Sequence, residues 1–168
     1  MRESVPSGVL TMLRPAFVAA TVTWALLLPL VPFVASRPHA TPIAAALLIA
    51  VYAIGSAICH QLPERSYHLW TAQMPVCARC AGIYAGAAIA AILSSAGHRF
   101  RGAGAGRVRA ILLLAALPTL ATLAYEWTTG DMPAHWIRAA TGVPLGATVA
   151  SMILSSMPHR TRAENQVN

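Results

Sequence analysis

Residues Pro75 to Ser95 read PVCARCAGIYAGAAIAAILSS, so a Cys-x-x-Cys pair, Cys77 and Cys80, runs directly into an apolar stretch with Gly82 and Gly86 four positions apart. That stretch is close to the roughly 20 residues that carry a helix across a hydrocarbon core. It predicts a helix from about Val76 to Ser95 with both thiols on its first turns and Arg79 between them. Thiols at a helix start meet free backbone N–H groups and the positive end of the helix dipole, and both favour the thiolate. The two glycines leave a groove that a neighbouring backbone can enter.

Four more apolar segments of similar length flank this one. They run from about Phe17 to Ala35, from Ile43 to Ile58 behind a helix-opening Pro42, from Ala110 to Trp127 and from Ile137 to Met157. The 168-residue chain is 57% hydrophobic and 10% charged, with a mean hydropathy of +0.59, well beyond the apolar content of a soluble domain. The expected fold is all-α, a polytopic transmembrane helix bundle of five spans with no β-structure. The expected organisation is an N-terminal segment over 1–16, one transmembrane helical domain over 17–157 and a basic polar tail over 158–168. The length of the first span and the lack of a small-residue cleavage site before Arg37 argue against a removable signal peptide, whereas Arg14 before it keeps that alternative open.

Every basic residue counted in the net charge of +7 is an arginine. Arg99, Arg101, Arg107 and Arg109 cluster in one Gly-rich loop, and Arg160 and Arg162 lie in the tail. Such clusters between apolar stretches orient helices and do not indicate nucleic-acid binding. With five spans they place the C-terminus in the cytoplasm and the N-terminus outside. The Cys59 to Pro75 loop then shares the outer face with Glu126, Asp131, His68 and His135. The implied partner is the lipid bilayer, with a second copy or a membrane protein as a further one.

The third and fifth spans resemble each other. Gly82 and Gly86 can be laid over Gly142 and Gly146, with Arg79 and Arg138 about a turn before each first glycine. This predicts close packing at all four glycines and suggests two related helix hairpins.

All three cysteines lie within one window, Cys59-His60-Gln61 followed by Cys77 and Cys80. Cys-x-x-Cys is half of a common metal site, and Cys59 with His60 would complete four ligands for zinc or another thiophilic ion. Gln61, Glu64, Arg65, Arg79 and Glu126 would orient or balance those ligands. A second reading makes Cys77 and Cys80 a redox disulfide with Cys59 as the exchanging thiol. A third is a transporter subunit in which Glu126 binds a cation. Buried thiols that only pack are the plain alternative. Haem attachment is disfavoured because Ala81 follows Cys80. No residue pattern names a reaction.

The stretch Cys59-His-Gln-Leu-Pro-Glu-Arg-Ser-Tyr67, followed by Pro75-Val-Cys-Ala-Arg-Cys-Ala-Gly-Ile-Tyr-Ala-Gly86, resembles the signature of small bacterial membrane proteins grouped as domain of unknown function 2085. The resemblance implies an acidic residue late in the fourth helix, as Glu126 is here, then an arginine and spaced glycines, as at Arg138, Gly142 and Gly146. An asparagine expected near Arg138 is replaced by His135 and Trp136. The resemblance carries no activity.

Overall fold

The computed structural model describes residues 7–39, 41–96 and 105–157. Arg2, Arg99, Arg101 and the tail over 158–168 lie outside them. The described residues form five α-helices and one β-hairpin: α1 Ser7–Ala35, α2 Pro42–Ile58, β1 Ser66–Leu69, β2 Ala72–Cys77, α3 Ala78–Ser95, α4 Ala105–Thr129 and α5 His135–Ser156. Four of the helices are long and apolar enough to cross a membrane, and α2, at 17 residues, is shorter. The all-α bundle read from the sequence is therefore present, with four such helices rather than five.

The hairpin corrects the expectation of no β-structure. Trp70 and Thr71, the two residues between the strands, have φ of 49° and 73°, the doubly left-handed conformation that closes a two-residue hairpin. Neither is the asparagine or glycine that usually marks such a turn, so no residue there advertises it. The register slips between Ser66 and His68, opposite the part of β2 that holds Pro75, which has no N–H to give to a ladder.

The helices pack according to their small residues. Gly82 and Gly86 of α3 face the backbone of Ala139 and Val143 in α5, and Gly142 and Gly146 of α5 face Arg79 and Ile83 in α3. A Cβ at any of the four would strike a carbonyl oxygen, so the two helices meet backbone to backbone. Both residue series rise together, so α3 and α5 run parallel and begin at the same end. Between them α4 runs the other way, with Thr119 Oγ1 donating to Thr141 O at 2.7 Å and Glu126 reaching Arg138.

Helix α1 lies antiparallel to α3. Arg14 Nη2 donates to Ser94 O at 2.9 Å, Trp24 packs edge-on against Tyr84, and Phe33 meets Trp70 at the hairpin tip. The hairpin thus continues the line of α3 beside the last turns of α1, where Leu28, Met74 and Val76 form a buried core. Thr41 caps α2 by accepting the Ala44 N–H, and Pro42 opens the helix. The helix then tracks β2: Tyr52 donates to Gln73 O, a Cβ on Gly55 would meet Pro75 O, and Cys59 meets Cys77. Its main partners are α1 and β2, so it sits beside the hairpin and not alongside the α3–α5 pair.

Candidate metal centre

Three elements deliver one cysteine each to the end of the bundle where α3 begins. Cys59 follows the last turn of α2 in extended conformation, and its N–H still bonds to Gly55 O. Cys77 ends β2 and caps α3, and Cys80 lies on the first turn of α3. This moves Cys77 out of the helix expected from Val76: strand pairing with Ser66 holds residues 76 and 77 extended. The three sulfurs lie within 4.8 Å of one another, all are free thiols and all are half-buried. The Cys77 N–H also points at Cys59 Sγ, 3.3 Å away.

Gln61 is the clamp that holds the loop. It adopts a left-handed φ of 49°, and its Nε2 donates to Tyr52 O at 3.0 Å and to Pro75 O at 2.6 Å. Gln73 returns a bond to Gln61 O at 2.6 Å. Gly55 makes room, since a side chain there would collide with Pro75 O and the Gln61 amide. Together these contacts fix the end of α2 against β2, and so Cys59 against Cys77.

His60 does not join the sulfurs. Cys59 is extended, with φ of −139° and ψ of 139°, so consecutive side chains leave the chain on opposite sides, and the imidazole is exposed. Glu64 is exposed and Arg65 half-buried on the 3-10 turn Pro63–Arg65, and no ion pair joins either to another described residue. Asp131 is exposed beyond α4, His68 is exposed on β1, and the His135 ring packs against Tyr67.

Glu126 is neither at the surface nor free. It is 7% exposed, and its Oε1 lies 2.7 Å from Arg79 Nη2 and 3.1 Å from Arg138 Nε. Arg79 also donates to Thr122 Oγ1 at 3.3 Å. Arg138 is 1% exposed, the largest fully buried side chain described. From the sequence, Arg138 aligns two helices and matches the arginine that the resemblance implies, but it is given no ion-pair partner. Its signal was available, because an arginine inside an apolar span needs a partner, and Glu126 was the acid at the matching depth. Ser66 is fully buried opposite Cys77, and its hydroxyl donates to Leu62 O at 3.0 Å.

The electrostatics favour a thiolate at Cys77. The Cys80 thiol donates to it, which lowers its pKa from 9.0 to about 5, and the Cys80 backbone N–H, the Cys59 thiol and the Arg138 charge act in the same direction against burial. One thiolate with two adjacent thiols is a set of soft donors suited to a thiophilic ion, and equally a nucleophile beside a resolving thiol.

Comparison with known proteins adds family membership without an activity. An uncharacterized protein of Methanocaldococcus jannaschii is 49% identical over 45 residues, which is 27% of this chain and 29% of that protein. The match therefore spans less than a third of the relative's length. No solved structure matches. The family model described as predicted membrane protein, domain of unknown function 2085 (DUF2085), matches residues 59–152, from the first cysteine to near the end of α5, and the chain belongs to that family of membrane proteins.

Proposed function

We propose that Cys59, Cys77 and Cys80 together bind a thiophilic metal ion, zinc or a related soft cation, at one membrane face. The observation that carries this reading is the convergence of three sulfurs from three separate elements to within 4.8 Å, with no disulfide among them. Three thiolates satisfy three of the four positions a tetrahedral ion takes, so the fourth would be left to water or an exchanging ligand, as in sites that react or pass ions on. Gln61 would hold the Cys59 loop, and the arginines beside the sulfurs would offset thiolate charge.

The orientation follows from four crossings. Because α2 sits beside the hairpin, α1, α3, α4 and α5 as the spans put both termini on one side, together with the loop between α3 and α4. Eight of the 12 arginines then share that side: Arg2, Arg14, Arg99, Arg101, Arg107, Arg109, Arg160 and Arg162. The positive-inside rule makes it cytoplasmic. We infer that the cysteines face outward, as expected from the sequence, whereas the N-terminus lies in the cytoplasm. The outward N-terminus expected from five spans depended on counting α2 as a crossing.

Thiol exchange is the second reading, favoured by the depressed pKa of Cys77 and the Cys80 thiol next to it. In that reading the Cys77 thiolate attacks a partner disulfide, releases one partner thiolate, and Cys80 then displaces the other. A cation path through Glu126 is not supported, because two arginines already hold that carboxylate.

Metal analysis of protein purified under reducing conditions tests the proposal. One equivalent of metal per chain, lost in each of Cys59→Ser, Cys77→Ser and Cys80→Ser, is the expected result. Metal-free protein that refuses added zinc and cadmium, while its thiols cycle with a disulfide oxidant, would overturn it in favour of exchange.

A further inference from the structure

The charge around the cysteines limits which ion they can take. Arg79 and Glu126 form a compact pair at 2.7 Å, with side-chain exposures of 14% and 4%. Arg138 approaches the same carboxylate oxygen at 3.1 Å, but its Nε makes no hydrogen bond there, and the other oxygen of Glu126 has no hydrogen-bond partner. Two cations to one anion leave the group with one net positive charge, buried where α3, α4 and α5 meet. Arg79 lies in the chain between two of the cysteines, and the parallel packing of α3 and α5 brings Arg138 to the same level. Glu64 and Asp131, the other acids among the described residues, are exposed.

A buried charge without a counter-charge is strongly unfavourable, and the penalty grows when a second like charge joins it. Three ligating thiolates bring three negative charges, of which the arginine-glutamate-arginine group neutralises one. We infer that the centre is built for a divalent soft cation of the zinc, cadmium or mercury class, because with all three sulfurs ionised a double positive charge closes the balance with the arginine-glutamate-arginine group. A monovalent ion such as copper(I) leaves the centre one charge negative, and a trivalent one such as arsenic(III) leaves it one charge positive. The inference rests on the metal-site reading and adds the valence of the ion, set by residues that do not ligate it.

The same arithmetic says how to retune the site. Glu126→Gln raises the neighbouring charge by one and matches a monovalent ion; Arg138→Gln lowers it by one and matches a trivalent ion. The experiment is a competition of cadmium(II) against copper(I), and of cadmium(II) against arsenic(III), on the full-length protein in detergent. The expected result for Glu126→Gln is a shift of about tenfold or more toward copper(I), the size of one unit charge acting at close range through a partly buried site. For Arg138→Gln a comparable shift toward arsenic(III) is expected. Glu126→Asp keeps the charge and should keep the wild-type ratios.

Arg138→Gln leaves the Arg79 and Glu126 pair intact, so it decides the matter even where Glu126→Gln does not fold. The double substitution Glu126→Gln with Arg79→Gln restores one net positive charge and should return the wild-type preference. Unchanged ratios in the folded variants overturn the valence inference and leave the metal site standing. Wild-type protein that takes up none of the three ions overturns both.

Discussion

Cys77 is the residue on which the chemistry turns. In reduced, metal-free protein its thiolate is stabilised chiefly by the Cys80 thiol, and its alkylation by iodoacetamide should have a midpoint near pH 5 instead of the ordinary 9.0. Because the folded pKa is depressed, the stability it contributes is fully present above the ordinary thiol pKa and is lost as the pH falls through the folded one. A midpoint at the ordinary value would show that Cys80 does not donate to Cys77. Glu126 is the residue on which packing of the site depends. Glu126→Ala strands the buried Arg138 and the half-buried Arg79, and breaking a buried pair by removing one partner costs about 3–5 kcal/mol. Chemical unfolding in detergent should register most of that loss. Gln61→Ala removes the clamp on the Cys59 loop and leaves two carbonyls short of a donor, a loss of about 1–3 kcal/mol. Weaker cadmium binding in this variant would accompany that loss, since Cys59 is the ligand it frees.

At the scale of elements, the pairing of α3 with α5 gathers the buried charges, since it brings Arg79 and Arg138 level. Substituting Gly86 or Gly146 with alanine forces a methyl group against a backbone carbonyl. Overpacking of this kind costs about 1–3 kcal/mol, which chemical unfolding in detergent should register. Gly106 has open space around it, and Gly106→Ala should change stability by no more than about 0.5 kcal/mol. Equal effects at Gly106 and Gly146 would contradict the packing described. These glycines were legible because small residues four apart have one main use in an apolar helix. The hairpin was not legible, since Trp70 and Thr71 reach left-handed backbone without the residues that advertise it. The place of His60 was hidden too: two adjacent residues point the same way only if the chain turns sharply, and an extended Cys59 forbids that.

For the whole molecule, composition alone established a helical membrane protein, and the family match agrees. It could not establish the number of crossings, because α2 is as apolar as a span and only its 17-residue length and its tracking of β2 set it apart. Ile43 and Ile49 on α2 are 83% and 72% exposed, surface that lipid or another chain would cover. Four crossings predict that alkaline phosphatase, which is active only outside the cytoplasm, is silent when fused at either terminus; activity at the N-terminal fusion alone would restore the five-span arrangement. The candidate centre was half legible: the three cysteines could be named from their spacing, whereas the meeting of Arg79 and Arg138 at Glu126 needed the parallel contact of α3 and α5. X-ray absorption at the metal edge of the zinc- or cadmium-loaded protein decides whether the three sulfurs share one ion. Three sulfur neighbours per ion are expected, at about 2.3 Å for zinc, with one lighter atom in the remaining position. An ion surrounded only by nitrogen and oxygen, or one sulfur per ion, would contradict a centre shared by Cys59, Cys77 and Cys80.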